Sequence, residues 1–353
     1  MSGFLQGNLW LVALTVKIVV VLLLLLTGVA YIVWMERKVV AHIQSRWGPY
    51  RVGPHGLLQP LADALKFLFK EDIIPAGADR FLYLLAPFLT LTMALLAVAV
   101  IPFGTSISIY GQTISLSISD LNVGVLFILA VTSLGVYGIA LAGWASNSKY
   151  SLLGSLRASA QMVSYEVSLA TGLVGVLMLS GSFNLREIVE YQSGFFYLSG
   201  FPVFPHWNIL PQFIGFIVYY ISAIAETNRS PFDLAEAETE LVAGFHTEYS
   251  SFKFAMFFIA EYTNMVIVSC LATLLFFGGW LGPLFGPAWL QAVLPTFWFV
   301  LKVLAFMFVY IWTRGTLPRF RYDQLMAFGW KFLFPLGIIN ILLTALVLVW
   351  QAN

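Results

Sequence analysis

Long apolar runs broken by short polar stretches divide the chain into eight candidate membrane-crossing segments, at residues 9–35, 81–103, 121–144, 160–179, 209–225, 254–280, 289–312 and 332–350. Each approaches the roughly 20 mostly apolar residues that a helix needs to traverse a bilayer core. The fifth is short and begins beside Pro211. Runs of this kind fold as helices, because a helix satisfies every backbone polar group within the segment itself. The pattern predicts an all-α integral membrane protein, a bundle of eight transmembrane helices forming a single domain over residues 1–353. The first run is too long for a signal-peptide core and has no basic stretch ahead of it, so it reads as a permanent span.

A different periodicity fills the long loop after the first span. Leu58, Leu61, Leu65, Leu68 and Phe69 recur at helical spacing, with Asp63, Lys66 and Lys70 on another face. This predicts an amphipathic helix near residues 57–70 lying in the membrane interface. Surface anchoring alone would account for it. Gly48-Pro49, Gly53-Pro54 and Gly56, however, impose tight turns ahead of the helix that a simple anchor does not need. Those turns would hold Arg46 and Arg51 in fixed places, as in the floor of a cavity or a docking seat.

Composition narrows the class. The chain is 60% hydrophobic and only 10% charged. A net charge of +1 argues against a nucleic-acid partner. Fifteen of the eighteen Lys and Arg residues fall in odd-numbered loops. That bias places those loops in the cytoplasm, or in the matrix of a mitochondrion, and both termini on the other side. The single cysteine, Cys270, precludes an internal disulfide or a thiolate-held cluster. His42, His55, His206 and His246 all lie away from mid-span, which disfavours a paired-histidine haem. With no Gly-rich phosphate loop either, no metal, haem or flavin is expected in this chain. Any electron carrier would belong to a partner or be a mobile ligand.

The scarce acidic residues are concentrated. Six of seventeen lie from Glu226 to Glu248, namely Glu226, Asp233, Glu236, Glu238, Glu240 and Glu248. Ser230-Pro231-Phe232-Asp233 reads as a helix start, with Asp233 in a plain capping role. Asp233, Glu236 and Glu240 would then share one face, with Glu238 turned away. In a low-dielectric cleft such carboxylates titrate as a coupled set, whereas a solvated acidic face is the alternative. Glu166 and Glu261 fall inside spans, where a charge costs at least ~2.5–3.5 kcal/mol on insertion scales. With Glu226 they suggest a polar path. A structural Lys–Glu pair with Lys17 or Lys302 is the simpler alternative. Lys17, halfway along its span, is expected to face a neighbouring helix or a partner chain.

The stretches Glu36-Arg37-Lys38, Gln44 to Phe67, Leu156 to Val167, Ala225 to Ser251 and Arg314 to Ala327 together resemble one family. It is the H-type membrane subunit of proton-pumping NADH:quinone oxidoreductase, equivalent to subunit 1 of mitochondrial complex I. The resemblance implies a chain without a redox centre of its own that forms the floor of a quinone chamber. Ubiquinone or menaquinone would be its bound substrate. Peripheral-arm subunits carrying the terminal iron–sulfur cluster would roof the chamber, and the loop from Arg314 to Arg321 would help seat them. Small membrane subunits and antiporter-like subunits would be further partners within the lipid bilayer. By the match, Arg37, Arg46, Arg51 and Asp63 would line the quinone entrance. Glu166, Glu226, Glu236, Glu240 and Glu261 would form a proton or coupling path, with Asp233 and Glu238 as neighbours. The implied location is the bacterial inner membrane with periplasmic termini, or the mitochondrial inner membrane. The membrane subunit of a related energy-converting hydrogenase, and a stand-alone proton or cation transporter, remain as alternatives. Transporters often carry repeated halves, and none stand out here.

Overall fold

In a bilayer the backbone of each apolar run has no water to bond, so helix formation is obligatory and side chains decide only where each helix stops. The structure, a computed structural model, describes residues 2–105, 107–109, 112–198, 201–233 and 243–352. Its helices are α1 (Ser2–Ile43), α2 (Gln59–Phe69), α3 (Arg80–Val98), α4 (Gly124–Ala145), α5 (Lys149–Ser180), α6 (Leu185–Tyr191), α7 (Phe213–Glu226), α8 (Ser251–Phe276), α9 (Ala288–Thr316), α10 (Tyr322–Phe328) and α11 (Phe334–Ala352). A π-helical turn over Gly329–Leu333 joins α10 to α11. Two short antiparallel hairpins interrupt the helical pattern in even-numbered loops. One pairs β1 (Ile107–Ile109) with β2 (Gln112–Ile114), and the other pairs β3 (Phe195–Leu198) with β4 (Phe201–Pro205).

Among the described residues, seven helical stretches are long and apolar enough to cross a membrane: those within α1, α3, α4, α5, α8 and α9, and the joined α10–α11. The expected eighth, at residues 209–225, is the 14-residue α7, which falls short of that length. The shortening has a local cause. Ile209 N donates to Phe276 O (3.0 Å) and Asn208 Nδ2 to Leu275 O (2.9 Å), so the chain ahead of α7 is tethered to the end of α8.

Contacts sort the loops into two ends. At one, Asp79 N donates to Ala145 O, Ser251 Oγ to the carbonyls of Phe67 and Lys70, and Phe320 N to Pro231 O. Lys253 pairs with Asp72 at 2.9 Å, and Tyr83 stacks on Tyr249 with ring centres 4.2 Å apart. These bonds fix α2 and the odd-numbered loops together. At the other end, Gln192 Nε2 donates to Ile188 O and Leu274 O, and Asn184 Nδ2 to Asp120.

Between the ends, small residues let helices approach, because lipid supplies no hydrophobic drive for one apolar helix to leave another. A β-carbon on Gly172 of α5 would lie 2.8 Å from Gly215 O and Tyr219 N of α7. The same region is stitched by Gln212, which accepts from Asn340 Nδ2 and donates to Thr344 Oγ1, both at 2.8 Å. Gly172→Val should therefore push α5 from α7, costing about 1–3 kcal/mol of overpacking. Thermal unfolding of the purified protein in detergent should show the lowered midpoint, and an unchanged midpoint would contradict this packing.

Candidate functional site

The first loop folds back on the end of α1. Arg37 Nη1 pairs with Asp63 Oδ2 at 2.7 Å, and Gln59 Nε2 donates to Asp63 Oδ1 at 2.9 Å, which locks α2 against α1. Gly56 has φ of 79°, and a β-carbon there would lie 2.3 Å from Pro49 O. Only glycine closes this turn. The turn presents a ladder of tilted and edge-on rings, Trp47, Tyr50 and His55, with Lys38 5.6 Å from the Tyr50 ring centre. A shallow cavity of about 650 Å³ opens among Trp47, Gly48, Pro49, Tyr50, Arg51 and Gln59. Arg46 and Arg51 both stand on the exposed surface, and Arg46 Nε donates to Gln44 Oε1. Arg37 and Asp63 are thus brought together, while Arg46 and Arg51 flank them.

Beneath this loop lies a lattice of buried charge. Glu36, only 7% exposed, accepts a 2.8 Å hydrogen bond from Tyr262 Oη and pairs with both Arg314 and Arg229, the latter at 3.6 Å. Arg229 Nε reaches Glu261 Oε1 at 2.5 Å, and its guanidinium lies 4.3 Å from the Tyr262 ring centre. Four elements meet here: α1 supplies Glu36, α8 supplies Glu261 and Tyr262, α9 supplies Arg314, and the turn after α7 supplies Arg229. Two glutamates and two arginines sum to zero, and Glu36 and Arg229 at the centre each have several partners, which offsets the desolvation of these buried ions, while Arg314 reaches in from the exposed side.

The local sequence explains how Arg229 gets there. Asn228 adopts φ of 50°, a left-handed conformation that asparagine tolerates. Asn228 N then bonds Ala225 O (3.2 Å) and Arg229 N bonds Ile224 O (3.4 Å). Paired bonds of this kind end a helix on a left-handed residue. The closure turns the chain at the end of α7 and aims Arg229 inward.

The remaining carboxylates are placed as follows. Glu166 of α5 is hydrogen-bonded to Ser133 of α4. Glu226 closes α7, lies within electrostatic reach of Glu166, and its Oε2 accepts no hydrogen bond among the described residues. Asp233 meets Arg319 at 3.3 Å, so the arginine loop expected to seat a partner also grips the acidic segment. Glu236, Glu238 and Glu240 lie outside the described residues.

Three expectations are corrected. Ser230, Pro231 and Phe232 form a turn and bend rather than a helix start, because Phe320 N takes Pro231 O and the Phe232 ring stacks on Phe320 at 5.4 Å. Among the described residues, neither Lys17 nor Lys302 pairs with a glutamate. Lys17 reaches the loop after α3 rather than a neighbouring helix, donating to Ser115 O and Ser117 O. Lys302 donates to the carbonyls of Phe277, Gly279 and Leu281 at 2.7–2.9 Å, and so caps the end of α8. The cations that neutralise Glu261 and Glu36 are Arg229 and Arg314, which the sequence shows only as loop and span-end charges.

The NADH dehydrogenase family profile matches residues 16–345. An NADH-quinone oxidoreductase H subunit of Koribacter versatilis is 62% identical over 352 residues, covering 96% of this chain and 97% of that protein. The NADH-quinone oxidoreductase H subunit of Thermomicrobium roseum is 53% identical over 331 residues, covering 94% of each. An H subunit of the same enzyme from Solibacter usitatus is 51% identical, covering 96% of this chain and 97% of that protein. The chain belongs to the NADH dehydrogenase family, in which its relatives are H subunits of NADH-quinone oxidoreductase.

Proposed function

We propose that this chain forms the membrane floor of a quinone chamber in a proton-translocating NADH:quinone oxidoreductase, and links quinone reduction to charge movement in the membrane. The observation that carries the reading is the neutral lattice of Glu36, Arg229, Glu261 and Arg314 directly under the Arg37–Asp63 loop. Quinone reduction takes up two electrons and two protons at the carbonyl oxygens. The electrons come from the iron–sulfur cluster of a peripheral-arm partner, and ubiquinone or menaquinone is the acceptor.

The residues of this chain supply the electrostatics. Before its protons arrive, a reduced quinone is an anion, and Arg37 and Arg314 are part-exposed cations that could answer it. An anion that draws Arg314 away leaves Glu36 with Arg229 and Tyr262, and Arg229 is shared with Glu261. Weaker pairing of a buried carboxylate favours its protonated form. The change passes to Glu226 and Glu166, and onward to Asp233, Glu236, Glu238 and Glu240, which complete the coupling path toward antiporter-like partners. Arg46 and Arg51 guide the quinone head at the entrance with Arg37 and Asp63. The odd-numbered loops face the cytoplasm of a bacterial plasma membrane, both termini are periplasmic, and α7 makes an additional crossing, giving eight passes in one domain.

Photo-crosslinking of the purified complex with an azido-quinone should label peptides between Glu36 and Lys70, and excess quinone should displace the label. Label found only on other subunits would refute the chamber assignment. Glu261→Gln should leave the complex assembled while coupled quinone reduction and proton pumping fall about tenfold, the scale of one charge-assisted hydrogen bond. Glu240→Gln should act in the same direction. Normal coupled activity in assembled variants would remove these residues from the path.

A further inference from the structure

One side chain touches both ends of the loop that presents the charged groups. Gln161 of α5 is 1% exposed. Its Nε2 donates to Ala225 O at 2.8 Å and to Phe232 O at 2.9 Å. Ala225 precedes Glu226, and Phe232 precedes Asp233. Between these anchors lies Arg229, paired with Glu36 and Glu261. A single carboxamide, with both of its N–H groups committed, therefore clamps a loop that carries Arg229 of the charge lattice and begins at Glu226.

The surroundings make the clamp the rigid end of a longer connection. Four residues along α5, the Tyr165 ring lies 5.8 Å from Phe232 and its hydroxyl donates to Leu325 O. Phe232 stacks in turn on Phe320, whose backbone N–H takes Pro231 O, beside Arg319 on Asp233. Among the described residues, Gln161 is the side chain that bonds both anchors.

We propose that Gln161 is a positioning residue for the coupled reaction, holding the 225–232 loop so that Glu226, Arg229 and Asp233 keep fixed relative places. This role rests on the coupling function proposed above. It does not need Gln161 to touch quinone or carry a proton. Replacing the carboxamide strips Phe232 O of its donor and leaves Ala225 O with the bond from Asn228 N, so the Phe232 end of the loop must relax to find another partner. Arg229 then moves with respect to Glu36 and Glu261.

The test uses the complete complex in membrane vesicles, with Gln161→Met (similar length, no donor), Gln161→Glu (same shape, fewer donors) and Gln161→Asn (both donors, shorter reach). In complexes assembled at normal amounts, the Met and Glu variants should lower kcat for NADH:quinone reduction roughly five- to tenfold, the scale of two buried hydrogen bonds. The KM for a short-chain quinone should stay within about twofold. Protons pumped per NADH should fall, and the Asn variant should recover part of both losses. Amide hydrogen exchange over residues 225–233 should accelerate. A purely structural side chain would reduce the amount of complex and leave the proton ratio alone. Wild-type kcat, proton ratio and exchange in the Met variant would overturn the proposal. If Met and Glu variants do not assemble, the Asn variant decides: faster exchange with lowered kcat supports the role, and no change in either overturns it. Glu261→Gln is run in parallel. Loss of coupling there beside normal Gln161 variants overturns only the positioning role, whereas normal coupling in both also overturns the wider reading.

Discussion

A charge held at the edge of a lipid phase has to bring its own counter-charge, and the bundle is organised around that requirement. Glu36 and Glu261 are largely withdrawn from solvent, and each is met by an arginine from another element. Because Arg229 bridges both glutamates, α1, α8 and the turn after α7 cannot separate without exposing an unpaired ion to an apolar surround. Removing one partner from such a buried pair costs about 3–5 kcal/mol. Glycine contacts such as Gly172 on Gly215 supply the close approach, and the ions decide which elements meet.

The two ends of the bundle solve different problems. At the end formed by the even-numbered loops, polar side chains serve backbone groups. Lys302 satisfies three carbonyls, Gln192 serves Ile188 and Leu274, and Lys17 serves Ser115 and Ser117. These three act as terminations that saturate backbone carbonyls, beside an Asp120 that Asn184 and Arg186 share near the surface. At the end formed by the odd-numbered loops, side chains serve one another and are shared: Arg229 between two glutamates, and Glu36 between two arginines and a tyrosine. Shared ions can be redistributed by an incoming charge, whereas a saturated cap cannot.

The helical architecture and the amphipathic α2 were legible because both rest on local periodicity. The apolar runs and the leucine spacing from Leu58 to Phe69 need no knowledge of distant residues. The charge lattice was only half legible. Glu261 announced itself by lying inside an apolar run, but its partner did not. Lys17 and Lys302 looked suitable because they share its apolar setting. Depth along the helices removes Lys17, which sits nineteen residues before Glu36 on α1. At the rise of an α-helix that separation is about 28 Å. Arg229 was hidden by its loop, since the left-handed turn at Asn228 that aims it inward is a feature of backbone geometry. The false helix start at Ser230 has the same origin, because local capping preference yielded to the bonds from Phe320 and Gln161.

The neutrality of the lattice also constrains how this part of the chain can diverge. With Glu36, Arg229 and Glu261 interlocked and buried, a substitution that removes the charge of any one of them leaves the charges around it unbalanced. A viable replacement needs a compensating change on a different helix, hundreds of residues away in the case of Glu36 and Arg314. Charge-conserving exchanges aside, keeping the balance there takes changes in pairs.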